Sequence, residues 1–360
     1  AAAHARLAAG LHAASNPRRS LALLALAFGW HPSDPALTRE YADRLEAAGH
    51  PEAAIAIEAE AARNLRDAGQ RRAQLEAAAE RAERHQRNDL RSELLLEIFD
   101  REPRYDAIHA GLSSSLNRPG LEAEHAALLE VRARHCRPVQ RAEALAHCAD
   151  ALARVPGERR TSLRYLWLAR ELDPDSLAPP QHKLLARVPA AQLQNWPRDP
   201  RAILKELERE LSESGDDPER MSRLCALRVE AGDLRGIVSS CLNLLAIDPE
   251  NEMAAARLWR ATAELNDPVL RKEALNLIAR LRRGREQGRA YALLARVQED
   301  ILDYDAALVS AERALEQDPA AADAALIVLR HVHRLEPARA LALLERAAAL
   351  LGAPPAALSS

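Results

Sequence analysis

Small and apolar residues recur three apart in front of a series of regularly spaced prolines. Pro32, Pro103, Pro174, Pro249 and Pro319 each follow a histidine or an acidic residue, and they stand 71, 71, 75 and 70 residues apart. Five positions before each lie Ala27, Ile98, Ala169, Leu244 and Ala314, and eight before lie Leu24, Leu95, Leu166, Cys241 and Ala311. A spacing of three places both positions on one helix face. Proline lacks the N–H that the next helical bond needs, so each marks a stop. Midway between stops sit Gly49, Gly120, Gly232 and Asn266, residue types that tolerate the left-handed backbone of a tight turn. The pattern predicts two-helix units of about 35 residues, because a proline every ~70 residues spans two units. Helices of roughly 12–16 residues in antiparallel pairs follow, with Ala27, Ala61, Ala169, Ala307 and Ala314 buried where helices touch.

Composition agrees. Ala, Leu, Arg and Glu are strong helix formers, aromatic residues make up only 3%, and no β-branched alternating run appears. A hydrophobic content of 48% is enough for a core. The net charge of -3 gives no global attraction to nucleic acid or to an anionic membrane. Lys183, Lys205 and Lys272 are the lysines; the preference for arginine reads first as codon bias.

No apolar run approaches the ~20 residues of a membrane span. Leu21–Gly29 after Arg18 and Arg19 mimics a signal peptide, but it keeps the repeat register and reads as a buried helix. The chain begins at Ala1 rather than Met, as a piece of a longer protein would. Cys136, Cys148, Cys225 and Cys241 form no disulfide framework. The compartment expected is the cytoplasm, with the periplasm as the alternative.

At this point the chain resembles the tetratricopeptide (TPR) family. Asp303-Tyr304-Asp305-Ala306-Ala307-Leu308, then Ala311, Ala314-Leu315 and Asp318-Pro319, is similar to the second TPR helix, with Tyr291 and Leu294 where the first helix carries large residues. Gly49-His50-Pro51-Glu52-Ala53-Ala54-Ile55 with Ala61, and Gly232-Asp233 with Cys241, Leu244, Asp248 and Pro249, are similar too. The middle units, near 72–105 and 106–141, keep the spacing but few signature residues. The resemblance implies an all-α, right-handed TPR-like α-solenoid of antiparallel helix pairs, about ten repeats in all. It also places Cys225 and Cys241 at facing core positions of one repeat, where a free thiol acts as a small hydrophobe.

Pro174, Pro179, Pro180, Pro189, Pro197 and Pro200 crowd one segment around Trp196. Proline forbids regular helix across such a run. It reads as an irregular connection at 176–200 between sub-arrays 1–175 and 201–360, or else as a distorted repeat within one array.

Signals of enzymatic chemistry are nearly absent. No Gly-rich phosphate loop, G-x-S-x-G elbow or H-E-x-x-H pair occurs, and no cofactor, metal or catalytic residue is expected. His135-Cys136 and His147-Cys148 carry zinc-type ligands, but their spacing fits no common finger and ordinary helix residues explain them. His331 and His333, two apart on a helix, point to different sides.

The resemblance puts ligands in a groove lined by first helices. The residues so placed are Arg257, Arg260, Arg289 and Arg296, with Glu299 and Asp300 nearby, and a cluster of guanidinium forks suits an acidic peptide. Scattered surface arginines are the plainer alternative. The Lys/Asn set with which some TPRs hold a C-terminal carboxylate is missing. The expected function is a non-enzymatic protein–protein scaffold or adaptor, a module of a larger bacterial machine, binding a partner peptide or helix. The alternatives are a sensor segment of a multidomain regulator and a nucleic-acid-binding helical repeat. The last is disfavoured by negative charge and few stacking aromatics.

Overall fold

The computed structural model describes residues 2–343 except 13–15, 105, 118, 190–192, 194, 195, 197, 198, 215, 216, 320, 337 and 341. Every regular element among them is helical. In chain order they are α1 (Ala2–His12), α2 (Pro17–Trp30), α3 (Pro35–Ala47), α4 (Pro51–Arg63), α5 (Ala68–Arg84), α6 (Asn88–Arg101), α7 (Asp106–Leu116), α8 (Glu122–His135), α9 (Pro138–Leu152), α10 (Arg159–Leu172), α11 (Pro179–Ala186), α12 (Arg201–Ser214), α13 (Pro218–Ala231), α14 (Leu234–Ile247), α15 (Glu252–Leu265), α16 (Pro268–Leu281), α17 (Gly284–Asp300), α18 (Tyr304–Gln317) and α19 (Ala322–His331). α1 packs on α2, α3 on α4, α8 on α9, α9 on α10, α14 on α15 and α17 on α18, as antiparallel helix pairs joined by short turns do. No helix of the described residues is long and apolar enough to cross a membrane.

Local chemistry sets the boundaries. Each marker proline falls one or two residues past a helix end: α2, α6, α10, α14 and α18 stop just before Pro32, Pro103, Pro174, Pro249 and Pro319. Starts are capped by side chains. Asp34 accepts from Ala36 N at 2.9 Å, Asp233 from Gly236 N at 3.0 Å and Asn251 from Ala254 N at 2.9 Å, which satisfies amide groups the helix leaves open. Gly49, Gly120, Gly232 and Asn266 all take positive φ, from 49° to 86°.

Helix pairs are held by small residues. Ala27, Ala169, Ala307 and Ala314 are fully buried and Ala61 nearly so. Leu21, Leu24, Ala27 and Phe28 form the buried face of α2. Between α17 and α18 the approach is close enough to demand glycine: a Cβ on Gly288 would lie 2.8 Å from Asp318 Cβ and 3.1 Å from the Ala314 carbonyl oxygen.

The chain divides into two compact units, and the division differs from the expected one at 176–200. One unit comprises residues 1–98 with 275–360, and the other residues 99–274. In the first, Leu24, Tyr41 and Ile57 share a core with Ala311, Leu315 and Leu326, and α4 packs on α19. In the second, Leu129, Leu145 and Tyr165 share a core with Met253 and Ala256, and α8 packs on α15. Leu177, Leu185 and Trp196 belong to that same core. These described residues of the proline-rich segment therefore pack as part of the unit. Pro179 and Pro180 open α11, where a missing N–H costs nothing. Pro197 lies outside the described residues.

Candidate functional site

The arginines singled out by the repeat register fall into different units. Arg257 and Arg260 lie on α15 in the 99–274 unit; Arg289 and Arg296 lie on α17 in the other. The 3.6-residue helical period places Arg257 and Arg260 on one side of α15. That side does not face open solvent, because α8 covers it.

Arg257 is 2% exposed. Its Nη2 donates to Glu130 Oε1 of α8 at 2.8 Å, and its Nε to Glu130 Oε2 at 3.0 Å. Its Nη1 and Nη2 donate to the two oxygens of Glu158, at the head of α10, at 2.7 and 3.1 Å. One guanidinium thus serves two carboxylates with both of its edges. Ser222 Oγ adds a bond to Glu158 at 3.0 Å, and the Tyr165 hydroxyl reaches Glu130 at 3.4 Å. Burial opposes ionisation here, but the two carboxylates outweigh it and hold Arg257 firmly protonated. Burial also resists the charge on Glu158, which the Arg257 guanidinium and its hydrogen bonds overcome, keeping that carboxyl below its usual range.

The other arginines are also paired within their own unit. Arg260 Nη1 meets Asp100 at 2.6 Å and its guanidinium lies 5.0 Å from the Trp259 ring. Arg289 pairs with Glu93. Arg296 meets Asp323 at 2.8 Å, and Arg63 bridges the same Asp323 to Glu97, 2.7 Å from the latter. Glu299, expected beside the arginines of the groove, instead accepts from Arg330 at 2.7 Å and from His331 at 2.6 Å. Asp300 is exposed at the end of α17.

The repeat register does not announce these partner acids, yet the sequence carries a trace of them. Glu130 interrupts the run Ala126-Ala127-Leu128-Leu129, and Arg257 follows Met253-Ala254-Ala255-Ala256. A charge on an otherwise apolar helix face calls for a buried opposite charge. Which acid meets which arginine is not readable, since 127 residues separate these two.

The histidine–cysteine pairs do not converge. His135 Nε2 contacts Glu264 at 2.8 Å, His147 is exposed, and Cys148 is buried with its thiol 3.8 Å from the Ala126 carbonyl oxygen. Among the described residues no group of His, Cys, Asp and Glu is placed to hold a metal ion. Cys225 and Cys241 are both fully buried and hydrogen-bonded to each other, as facing positions of α13 and α14. That hydrogen bond and burial push the Cys241 thiol well above its ordinary range.

No family model and no curated protein matches the chain. Among solved structures, one of Naa15/Naa10 bound to HypK-THB aligns at 14% identity and a TM-score of 0.24, covering 97% of this chain and 63% of that one. This chain thus spans less than two thirds of that neighbour's length. The crystal structure of yeast Tom70 aligns at 11% identity and a TM-score of 0.27, covering 99% of this chain and 93% of that one. What the helix pairs, the alanine register and the left-handed turns establish is the fold: the chain is an all-α array of TPR-like repeats.

Proposed function

We propose that the chain is a non-enzymatic protein-interaction scaffold or adaptor, holding a peptide or helix of a partner protein. The observation that supports this reading is the repeat itself: helix after helix of similar length presents side chains at a fixed spacing, the arrangement that suits extended protein ligands. In its finer form, an acidic segment of the partner engages the arginines of the α17 face. Arg257 and Arg260 are both covered and paired, so the reading rests on Arg289 and Arg296, with Glu299 and Asp300 at the margin. An acidic ligand there competes with the chain's own Glu93 and Asp323. Binding of this kind weakens as salt rises, because exposed charges are screened over ~8 Å at physiological ionic strength.

The test is photo-crosslinking in the native host. A photoreactive residue replaces Arg235 on α14 in one chain and Asp300 on α17 in another, with Arg289→Ala and Arg296→Ala introduced separately. A partner protein captured at Asp300 and lost on either arginine substitution supports the acidic-segment form. A partner whose capture ignores both substitutions removes the arginines and keeps the scaffold. No protein captured at either position, from cells in which the chain is folded, overturns the scaffold reading.

A further inference from the structure

α2 is apolar on two sides. Its inner face, Leu21, Leu24, Ala27 and Phe28, is buried in the core of its unit. Its outer face carries Arg19, Leu23, Leu26 and Trp30, spaced so that the 3.6-residue period sets them in one stripe. Leu26 is 43% exposed and Trp30 53%; Arg19 is exposed and Leu23 half-buried. A helix that is apolar all round is ordinarily covered on every side.

The marker prolines allow this stripe to be compared with the helices in register with it. Where α2 has Leu26 and Trp30, α6 has Glu97 and Arg101, α14 has Asn243 and Ile247, and α18 has Arg313 and Gln317. α10 keeps Leu168 and Leu172, but Thr161 stands where α2 has Arg19. Charge is uneven as well. Residues 1–33 contain no Asp or Glu, and Arg19 makes no ion pair or ring contact among the described residues.

The stripe is symmetric about its midpoint. Arg19 and Trp30 lie at its ends, and Leu23 and Leu26 flank the point between Leu24 and Ala25. Two such stripes laid antiparallel across a two-fold axis set Arg19 against the partner's Trp30 and Leu23 against the partner's Leu26. A shallow helix crossing keeps both ends in contact. The two arginines then stand about 16 Å apart, at 1.5 Å per residue, which is beyond the ~8 Å screening length. A guanidinium over an aromatic ring is an attractive contact, and the chain makes it within itself. Arg260 lies 5.0 Å from the Trp259 ring, and Arg334 lies 4.7 Å from the Tyr304 ring. Along one helix Arg19 and Trp30 are too far apart to meet in this way. One helix face per chain is at the small end of specific interfaces, so such a pairing is weak and reversible.

We propose that the outer face of α2 is a self-association surface, through which two copies of the chain pair antiparallel and two-fold symmetric, with Arg19 on the partner's Trp30 and Leu23 on the partner's Leu26. It uses none of the α17 arginines and is independent of the scaffold reading.

The experiment is sedimentation velocity of the full chain across about 1–200 µM, the range of weak interfaces. The unaltered chain shows a monomer–dimer equilibrium with its midpoint in that range. Leu26→Glu places a carboxylate against an apolar residue, and Trp30→Ser removes the ring from both ends. Each raises the dissociation constant by about tenfold or more. Ile247→Glu, at the corresponding exposed position of α14, leaves it unchanged. All three positions are exposed, so each variant keeps the helical circular dichroism of the unaltered chain. Crosslinking with a short bismaleimide in a Cys136→Ser background reads the direction of pairing. Chains with Arg19→Cys mixed with chains with Trp30→Cys crosslink, whereas either kind alone does so poorly, its thiols being about 16 Å apart. The proposal is overturned if the unaltered chain is monomeric throughout, if Leu26→Glu and Trp30→Ser dimerise as it does, or if like chains crosslink as readily as unlike ones. A monomeric chain that floats with phosphatidylserine-containing vesicles, and stops doing so with Trp30→Ser, assigns the stripe to a membrane surface instead.

Discussion

Arg257 and Glu158 form two hydrogen bonds, at 2.7 and 3.1 Å, across 99 residues of sequence. Neither side chain is more than 2% exposed. The contact is therefore a buried ion pair whose worth depends on every partner being present.

Removing the cation alone strands Glu130 and Glu158 without water or counter-charge. Arg257→Ala is expected to destabilise the 99–274 unit by about 3–5 kcal/mol. Replacing all three, Arg257→Met with Glu130→Leu and Glu158→Leu, restores most of that loss, since apolar groups of similar volume incur no desolvation penalty. Urea unfolding of the two variants checks this, and a triple variant as unstable as the single one would contradict it.

Glycine to alanine inside a helix ordinarily stabilises by roughly 1 kcal/mol. At Gly288 the sign reverses. The added methyl group would meet backbone atoms of Ala314 and Asp318, which cannot move aside as a flexible side chain would. Gly288→Ala should cost about 1–3 kcal/mol, and so should Ala314→Leu at the same contact. Denaturant midpoints measure both, with Gly29→Ala, which meets no atom within 4 Å, as the comparison.

Two histidines of the 99–274 unit make stability depend on pH. Burial, then Arg132, lowers His109 to about 3, and burial, then Arg154, lowers His125 to about 4. Both are thus neutral in the folded chain, while the unfolded chain takes up protons near pH 6.5. Their contribution is complete above pH 6.5 and is lost progressively as pH falls through the folded values near 4 and 3. Unfolding free energies at pH 7.5, 6 and 4.5 should decline in the unaltered chain and decline less in His109→Gln with His125→Gln.

Thiol reactivity reports the core register. Cys148, Cys225 and Cys241 are buried and Cys136 is half-buried. A thiol reagent at neutral pH should label Cys136 within minutes and the other three only as the chain opens. Peptide mapping identifies the labelled residue, and fast labelling of Cys225 would mean that α13 and α14 do not pack as described.

The repeat is legible in the sequence because proline and glycine act locally. A stop before Pro174 or a left-handed turn at Gly232 is decided by the residue itself. The alanine register is equally legible, since Ala314 and Ala307 are small wherever the neighbouring helix lies. The fate of the arginines is not. Helical period turns Arg257 toward a groove, but it gives only a side of the helix and not what covers that side. The cover comes from α8 and the head of α10, and no local signal couples those to α15.

The packing of α8 on α15, and of α4 on α19, has a consequence for synthesis. At roughly 5–20 residues per second, a ribosome needs on the order of ten seconds to pass from α8 to α15. During that time Glu130 is already in the nascent chain and its arginine is not. α4 waits longer still, for α19. An ordinary repeat array settles its early units as they emerge, each on the one before. Here α1 to α5 can pair as they emerge, but the side of α4 that meets α19 stays uncovered until that helix arrives. A stop codon placed after α14 should therefore yield an aggregating product for a chaperone or protease, and not a shorter folded array.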